Sequence, residues 1–399
     1  MLEEFKDKKI VILGFGREGK DTLKFLKKLF SKKKIGIADQ KFDKNYLKKL
    51  KDYDIIIKAP GIPFKKLTRN EIVKITTQTE IFFQNCPGMI IGVTGTKGKS
   101  TTAYWIYQVL RNAGKRVHLI GNIGEPVLSS FLLKAKPDDI FVYELSSFQL
   151  TNLKYSPHIA VLLNIYPEHL DYYRDFQEYI QAKANITKYQ TKKDFLIYSS
   201  QSPIVRKIAQ KSRAKKISIN GKYYELNRAA AKAAAKIFKV PMPKKFKSLP
   251  HRLEFVGRFK GIEFYNDSLS TIPETAIEAL DFLGDKVETM ILGGFDRGLE
   301  FKKLAERINK SGIKNLILFP TTGRRIWQIL CGLRHRTIGV RSFFVDDMKE
   351  AVKLAYKHTG KGKICLMSPA SPSFGIFKDY ADRGEAFKKY VRKYAKMKL

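Results

Sequence analysis

The apolar run Met89-Ile90-Ile91-Gly92-Val93 passes directly into Thr94-Gly95-Thr96-Lys97-Gly98-Lys99-Ser100-Thr101-Thr102, and a helical pattern follows from Thr101 to about Asn112. A short run with no polar alternation reads as a strand buried on both faces, so strand, glycine turn and helix in that order predict a parallel α/β sheet. In such a turn the backbone N–H groups and the helix start converge on an anion, with Lys99 able to reach terminal phosphates and the Ser100 hydroxyl able to ligate magnesium. The spacing is not that of a strict P-loop, because Val93 stands where the first glycine would fall and Gly95 makes the turn. The competing reading, a turn that merely joins strand to helix, does not account for the Gly-Lys-Ser run. Gly95, Thr96, Lys97, Gly98, Lys99, Ser100 and Thr101 are the candidate nucleotide-binding residues.

A second glycine turn lies near the start. Lys9-Ile10-Val11-Ile12-Leu13 ends at Gly14-Phe15-Gly16-Arg17-Glu18-Gly19, and Leu23, Leu26 and Phe30 then recur at helical spacing. With Asp39 closing the next apolar run, this matches a dinucleotide fingerprint in spacing. A nicotinamide site and a tight turn binding some other ligand fit the pattern equally.

Later apolar runs repeat the rhythm: Asp54-Ile55-Ile56-Ile57-Lys58, Ile140-Phe141-Val142-Tyr143, Ile159-Ala160-Val161-Leu162-Leu163, Thr289-Met290-Ile291-Leu292-Gly293-Gly294, Leu316-Ile317-Leu318-Phe319 and Lys363-Ile364-Cys365-Leu366-Met367-Ser368. Two breaks divide them, at Cys86-Pro87-Gly88 and at the stiff, charged Pro241-Met242-Pro243-Lys244-Lys245 that follows an alanine-rich helix over 227–238. A chain of 399 residues exceeds what one core usually serves, and three α/β units are expected, over 1–86, 87–247 and 248–399.

Net charge bears on partners. The 76 Lys and Arg against 38 Asp and Glu leave +38, a field that attracts polyanions, whether nucleic acid or a substrate with several phosphates. The lysines are dispersed from Lys6, Lys8 and Lys9 to Lys388, Lys389 and Lys393, so a solvating surface explains them as well as a nucleic-acid site does. Cys86, Cys331 and Cys365 have no metal-ligand spacing and are odd in number, which excludes a disulfide framework and fits a reducing cytoplasm. No apolar run approaches the roughly 18 residues that span a bilayer, so neither membrane insertion nor a signal peptide is expected.

Three further residues stand where chemistry could happen. Glu144 begins Glu144-Leu145-Ser146-Ser147-Phe148-Gln149-Leu150 just past a strand, where a carboxylate meets a metal held at a neighbouring phosphate turn. An ion pair with a surface lysine is the plainer alternative. His169, in Leu163-Asn164-Ile165-Tyr166-Pro167-Glu168-His169-Leu170-Asp171, reads equally as a metal ligand or a hydrogen-bonding residue past a strand. Lys183 sits in a helical pattern with Tyr179, Ala182 and Ile186, and periodicity alone does not distinguish it from a solvated lysine.

Taken in order, Thr94 to Thr101, Glu144 to Leu150, Asn164 to Asp171 and His251-Arg252 resemble the Mur ligases, and the resemblance extends from about Gly14 to Gly384. It implies a Rossmann-like N-terminal domain for the UDP-linked substrate, a central P-loop ATPase domain with a mainly parallel sheet, and a Rossmann-like C-terminal domain for the amino acid and nucleotide. It also implies an ATP-dependent amide ligase of peptidoglycan precursor synthesis: ATP phosphorylates the alanyl carboxylate of UDP-N-acetylmuramoyl-L-alanine, and the D-glutamate amine attacks the acyl phosphate. By the same resemblance, Lys99 holds the terminal phosphates, Ser100 and Glu144 place one Mg2+, and His169 and a carbamylated Lys183 place a second. Asn227, Arg252 and Asp267 contact the nucleotide, with Arg252 arriving on closure of the third domain. Thr271, Arg297, Ser373 and Tyr380 take D-glutamate. Gly14, Phe15, Gly16, Arg17, Asp39, Gln40, Lys41, Gly61 and Asn122 take the UDP-linked substrate, rather than NAD. A monomer acting on small molecules, without a specific nucleic-acid partner, follows.

The chain departs from the family pattern at Leu269, where a lysine is usual, and at Tyr224, where an asparagine is usual; Asn227 keeps its place, and the interval from Lys183 to Asn227 is short. These bear on substrate positioning and adenine recognition. A sister Mur-type or folylpolyglutamate-type ligase with another amino acid or acceptor is the alternative, and Phe148-Gln149 with Arg297 favours D-glutamate.

Overall fold

The computed structural model describes residues 2–121, 127–130, 132–169, 172–221, 224–333 and 339–397. Among these the strands build three sheets within two compact units, Met1–Lys247 and Ser248–Leu399.

The first unit holds two parallel sheets. One comprises β1 (Ile10–Leu13), β2 (Ile35–Ala38), β3 (Ile55–Lys58) and β4 (Ile75–Thr77) in the order β2-β1-β3-β4. The other comprises β5 (Met89–Thr94), β6 (Val117–Gly121), β7 (Ile140–Glu144), β8 (Ile159–Leu162), β9 (Phe195–Ser199) and β10 (Lys215–Ile219) in the order β10-β9-β8-β5-β7-β6. The two sheets share one core: Phe82 meets Phe141 and Tyr143 edge-on, with ring centroids 5.2 and 5.7 Å apart. Large rings packed this way bury much apolar surface, which joins the two sheets within the first compact unit.

Burial on both faces dictates the apolar strands. Ile91 and Val93 of β5 face a core lined by the helices Lys99–Asn112 and Tyr224–Ile237, while Ile90 belongs to the core on the opposite face. Ala230, Ala231 and Ala234 are wholly buried, and these small side chains let the second helix lie close against the first. The helix expected from residue 101 begins at Lys99, and the alanine-rich one at Tyr224.

The second unit contains β11 (Glu254–Phe259), β12 (Ile262–Asn266), β13 (Val287–Gly293), β14 (Asn315–Phe319), β15 (Arg341–Phe344) and β16 (Ile364–Met367), ordered β11-β12-β16-β13-β14-β15. All neighbours are parallel except β11 and β12, an antiparallel hairpin whose turn has Lys260 at φ 52° and Gly261 at φ 82°. Two successive left-handed residues suit the twist of a tight hairpin. Its core lies on both faces of the sheet, around Leu292, Leu316 and Leu366 on one side and Ile291, Ile317 and Met367 on the other.

Candidate active site

β5 is central in its sheet, so the turn at its carboxyl end is flanked by the ends of β7 and β8. Backbone and side-chain bonds from the β8 side fix the turn. Thr96 N–H donates to the Asn164 carbonyl at 2.8 Å, Lys97 N–H to Asn164 Oδ1 at 2.8 Å, and Asn164 Nδ2 returns to the Lys97 carbonyl at 3.2 Å. Thr96 Oγ1 accepts from Tyr166 N at 2.9 Å. Gly98 is left-handed at φ 82°, and a Cβ there would lie 2.5 Å from Asn227 Oδ1, so only glycine lets Asn227 seat against the turn. Asn227 also accepts a hydrogen bond from Thr102 Oγ1 at 3.0 Å.

Three charged residues gather here from distant parts of the sequence. Lys99 opens the helix and donates to the Thr96 carbonyl at 3.0 Å. Glu144, 2% exposed, ends β7 opposite Val93. Lys183, 1% exposed on the helix Phe176–Lys188, donates to the Gly95 carbonyl at 2.8 Å and lies 4.9 Å above the Tyr179 ring. Burial, with the Lys99 charge nearby, pushes the Lys183 amine well below the usual lysine range, while Glu168 and Glu144 pull the other way. Burial thus favours the uncharged amine over the ammonium.

Ser100 lies in the first turn of the helix, half-buried, and Thr101 is buried behind it. His169 is left-handed at φ 59°, and its ring lies 4.7 Å from Phe148 and 6.2 Å from Tyr179, the ring over which Lys183 sits. Glu168 bridges to the opposite side, 3.7 Å from Lys97 Nζ and 3.7 Å from His169 Nε2. No group of three His, Cys, Asp or Glu suited to a metal occurs among the described residues. The hydroxyl and carboxylate of Ser100 and Glu144 nevertheless match the hard oxygen ligands of Mg2+, which commonly takes one or two carboxylates and completes its shell with phosphates and water.

The same unit carries a cavity of about 460 Å³ that Gly14, Gly16, Arg17, Asp39, Gln40, Lys41 and Gly61 line. Phe15 stands in the turn, where its N–H donates to Asp39 Oδ2 at 2.6 Å, and Lys41 N–H donates to Asp39 Oδ1 at 2.9 Å. These two bonds hold the Asp39 carboxyl below its usual range, so it ties two loops together. Asn122 lies outside the described residues. Sequence reasoning passed over three residues. Glu18 lines the cavity and accepts from Gln149 Nε2 at 2.8 Å, and its burial pushes the carboxyl up to about 7. Lys58, buried and pushed down to about 8, donates to the Ala59 and Ile62 carbonyls at 3.0 and 2.7 Å. Tyr172 donates to the Pro60 and Ile62 carbonyls at 2.9 and 3.1 Å. Glu18 was visible inside the glycine fingerprint, but the other two carry no local signal.

In the second unit, the ends of three adjacent strands β12, β16 and β13 bring the remaining candidates together. Asp267 follows β12, fully buried. Its Oδ2 accepts from Ser368 Oγ at 2.7 Å and its Oδ1 from Leu253 N at 3.0 Å, which fixes the segment next to Arg252. Burial raises its carboxyl to about 6 against the opposing Arg252 charge. Thr271 follows the turn in which Ser270 N–H bonds the Asp267 carbonyl. Arg297 stacks its guanidinium 5.4 Å over Phe374, beside the buried Ser373. The Tyr380 carbonyl accepts from Ser268 Oγ at 2.7 Å. Arg383 is a residue without a sequence signal: fully buried and pushed down to about 9, it donates to the Ser268 hydroxyl and carbonyl, both at 3.0 Å.

Residues 93–262 match the Mur ligase middle domain, and residues 251–371 match the Mur ligase, glutamate ligase domain. The chain is 31% identical over 97% of its length to a UDP-N-acetylmuramoylalanine--D-glutamate ligase of Clostridium botulinum strain 657, covering 98% of that protein. It is 32% identical over 98% of its length to the protein of the same name from Acetivibrio thermocellus, covering 97% of it. Its fold resembles the MurF ligase of Thermotoga maritima crystallised with ADP, at 18% identity and a TM-score of 0.56 over 86% of this chain and 90% of that one. Two matching domains and relatives alike from end to end place the chain in the Mur ligase family.

Proposed function

We propose that this protein joins D-glutamate to UDP-N-acetylmuramoyl-L-alanine with ATP as the energy source, making an amide of a peptidoglycan precursor. The observation that carries the reading is the gathering of Lys99, Glu144 and Lys183 around one anion-binding turn, in the unit that also holds the first-sheet cavity. The cavity takes the UDP-linked substrate and the turn takes ATP.

Amide formation requires the alanyl carboxylate to become electrophilic. A triphosphate and a carboxylate repel each other, so the chain's task is to neutralise and orient them. Lys99 supplies a fixed positive charge where the γ-phosphate is handed over, and the turn's N–H groups hold the β-phosphate. Ser100 and Glu144 would hold one Mg2+, and His169 with Lys183 a second; such ions supply charge neutralisation and orientation. For Lys183 this needs a carboxylate in place of an amine. In its uncharged form, which burial favours, the nitrogen can add to carbon dioxide, forming an N–C bond and releasing a proton, which leaves an anionic carbamate.

Transfer of the γ-phosphoryl group to the alanyl carboxylate oxygen gives an acyl phosphate and ADP. The D-glutamate amine then attacks the acyl carbon, and inorganic phosphate leaves as the amide forms. We assign D-glutamate to Thr271, Arg297, Ser373 and Tyr380, with the planar Arg297 fork suited to a carboxylate. Asn227, Arg252 and Asp267 are assigned to the nucleotide. The test is ADP release by purified protein given ATP, Mg2+, UDP-N-acetylmuramoyl-L-alanine and a panel of amino acids. D-Glutamate alone should stimulate release; stimulation by another amino acid and not by D-glutamate would overturn the assignment.

A further inference from the structure

The cavity loop 59–62 is held by its carbonyls. Lys58 Nζ binds those of Ala59 and Ile62 from within the first sheet, and the Tyr172 hydroxyl, from the segment before the helix Phe176–Lys188, binds those of Pro60 and Ile62. The remaining residue, Gly61, lines the cavity, and a Cβ built on it meets nothing within 4 Å. The loop thus presents an open face to the cavity while donors secure its other side.

Tyr172 is also bound at its main chain. Its N–H donates to the His169 carbonyl at 3.0 Å, and Tyr173 N–H donates to the same oxygen at 3.1 Å. The Phe148 ring lies 4.7 Å from His169 and 4.3 Å from Tyr172, packing the two into one cluster. Glu168, next in sequence to His169, lies 3.7 Å from Lys97 Nζ in the nucleotide turn, and Tyr166 N bonds Thr96 of that turn. Contacts of Tyr166, Glu168, His169 and Tyr172 therefore link the turn to the wall of the cavity.

We propose that Tyr172 is a positioning residue whose hydroxyl couples the nucleotide turn to the sugar-nucleotide cavity, so that filling one site orders the wall of the other. This rests on the assignment of ATP to the turn and the UDP-linked substrate to the cavity. Coupling between binding sites is reciprocal, and each ligand then strengthens the other.

Tyr172→Phe removes the hydroxyl and keeps the ring against Phe148. Hydrogen exchange at the Gly61 and Ile62 amides is measured in wild type and variant, without ligand and with Mg2+ and a non-hydrolysable ATP analogue at saturation, checked by calorimetry. Without ligand, the variant should exchange about tenfold faster at these amides, the scale of one lost hydrogen bond, with the strands of the first sheet unchanged. The analogue should slow exchange at 61 and 62 in the wild type and leave it unaltered in Tyr172→Phe. Affinity for UDP-N-acetylmuramoyl-L-alanine should rise with the analogue in the wild type only. Equal slowing in both proteins, or none in the wild type, would overturn the coupling. The exchange readout requires no turnover, so failure of D-glutamate to react would count against the acceptor assignment alone.

Discussion

Lys183 is 1% exposed in a chain with 76 Lys and Arg, most of them solvated. Its sequence neighbours gave no sign of this, because burial arises from the Gly95 carbonyl and the Tyr179 ring, one remote in sequence and one a helical turn away. Lys183→Ala should lower turnover on the order of a hundredfold or more. Bicarbonate cannot restore it, since no amine remains, whereas a small carboxylic acid should recover part of the rate; unaltered turnover would remove Lys183 from the site. Glu18 gives a pH test. Its carboxyl is raised from 4.5 to about 7 by burial, so the folded state retains a proton that the unfolded state loses first. Stability from this group is complete below 4.5 and is lost as pH rises through about 7. Glu18→Gln should therefore melt higher than wild type at about pH 8 and match it at about pH 4, as scanning calorimetry would show. A constant difference at both pH values would contradict the assignment.

Among the elements, strand-turn-helix order was plain in the sequence because parallel strands are apolar throughout and their turns carry glycine. The β11–β12 hairpin was not, since β11 has no buried residue to mark it and its turn is Lys260-Gly261 instead of a familiar pair. Asp39, read from the fingerprint as a ligand contact, lines the first-sheet cavity, and its oxygens also join two loops. The glycine turn and Glu144 were legible through local context, while Lys58, Tyr172 and Arg383 act by contacts between elements, which spacing cannot encode. The helix Phe176–Lys188, which carries Tyr179 and Lys183, begins at Asp175, whose Oδ1 accepts from Glu178 N at 2.8 Å. Asp175→Ala should cost about 1 kcal/mol in urea unfolding with an unchanged slope, and Asp175→Asn should restore most of it. In the turn itself, Gly98→Ala combines a left-handed φ of 82° with a Cβ 2.5 Å from Asn227 Oδ1. It should abolish measurable ATP binding by calorimetry while the protein remains folded by circular dichroism.

Across the whole molecule, +38 remains a property of the surface more than of any one element. Substrates with several phosphates enter such a field faster, and the gain is screened by salt over about 8 to 10 Å. The association rate of a fluorescent ATP analogue should fall steeply between low and physiological ionic strength, with dissociation less affected; a flat response would mean that dispersed lysines do not steer ligands. The second unit has cores on both faces of its own sheet, and a fragment from Ser248 to Leu399 should unfold cooperatively by itself. The relatives align over 456 and 459 positions against a chain of 399, so they contain segments this chain lacks. The short interval between Lys183 and Asn227 is one place where the sequence had suggested such a loss, and there the chain still completes β9 and β10.

Ala230, Ala231 and Ala234 form the floor on which the Lys99 helix rests, and alanine has no rotamers to surrender. A wall of methyl groups cannot rearrange, and Asn227, one turn earlier on the same helix, inherits that stiffness as it braces Gly98. On the proposed assignment of ATP to this turn, the phosphate seat is pre-organised, and an arriving nucleotide spends little of its affinity on freezing protein motion.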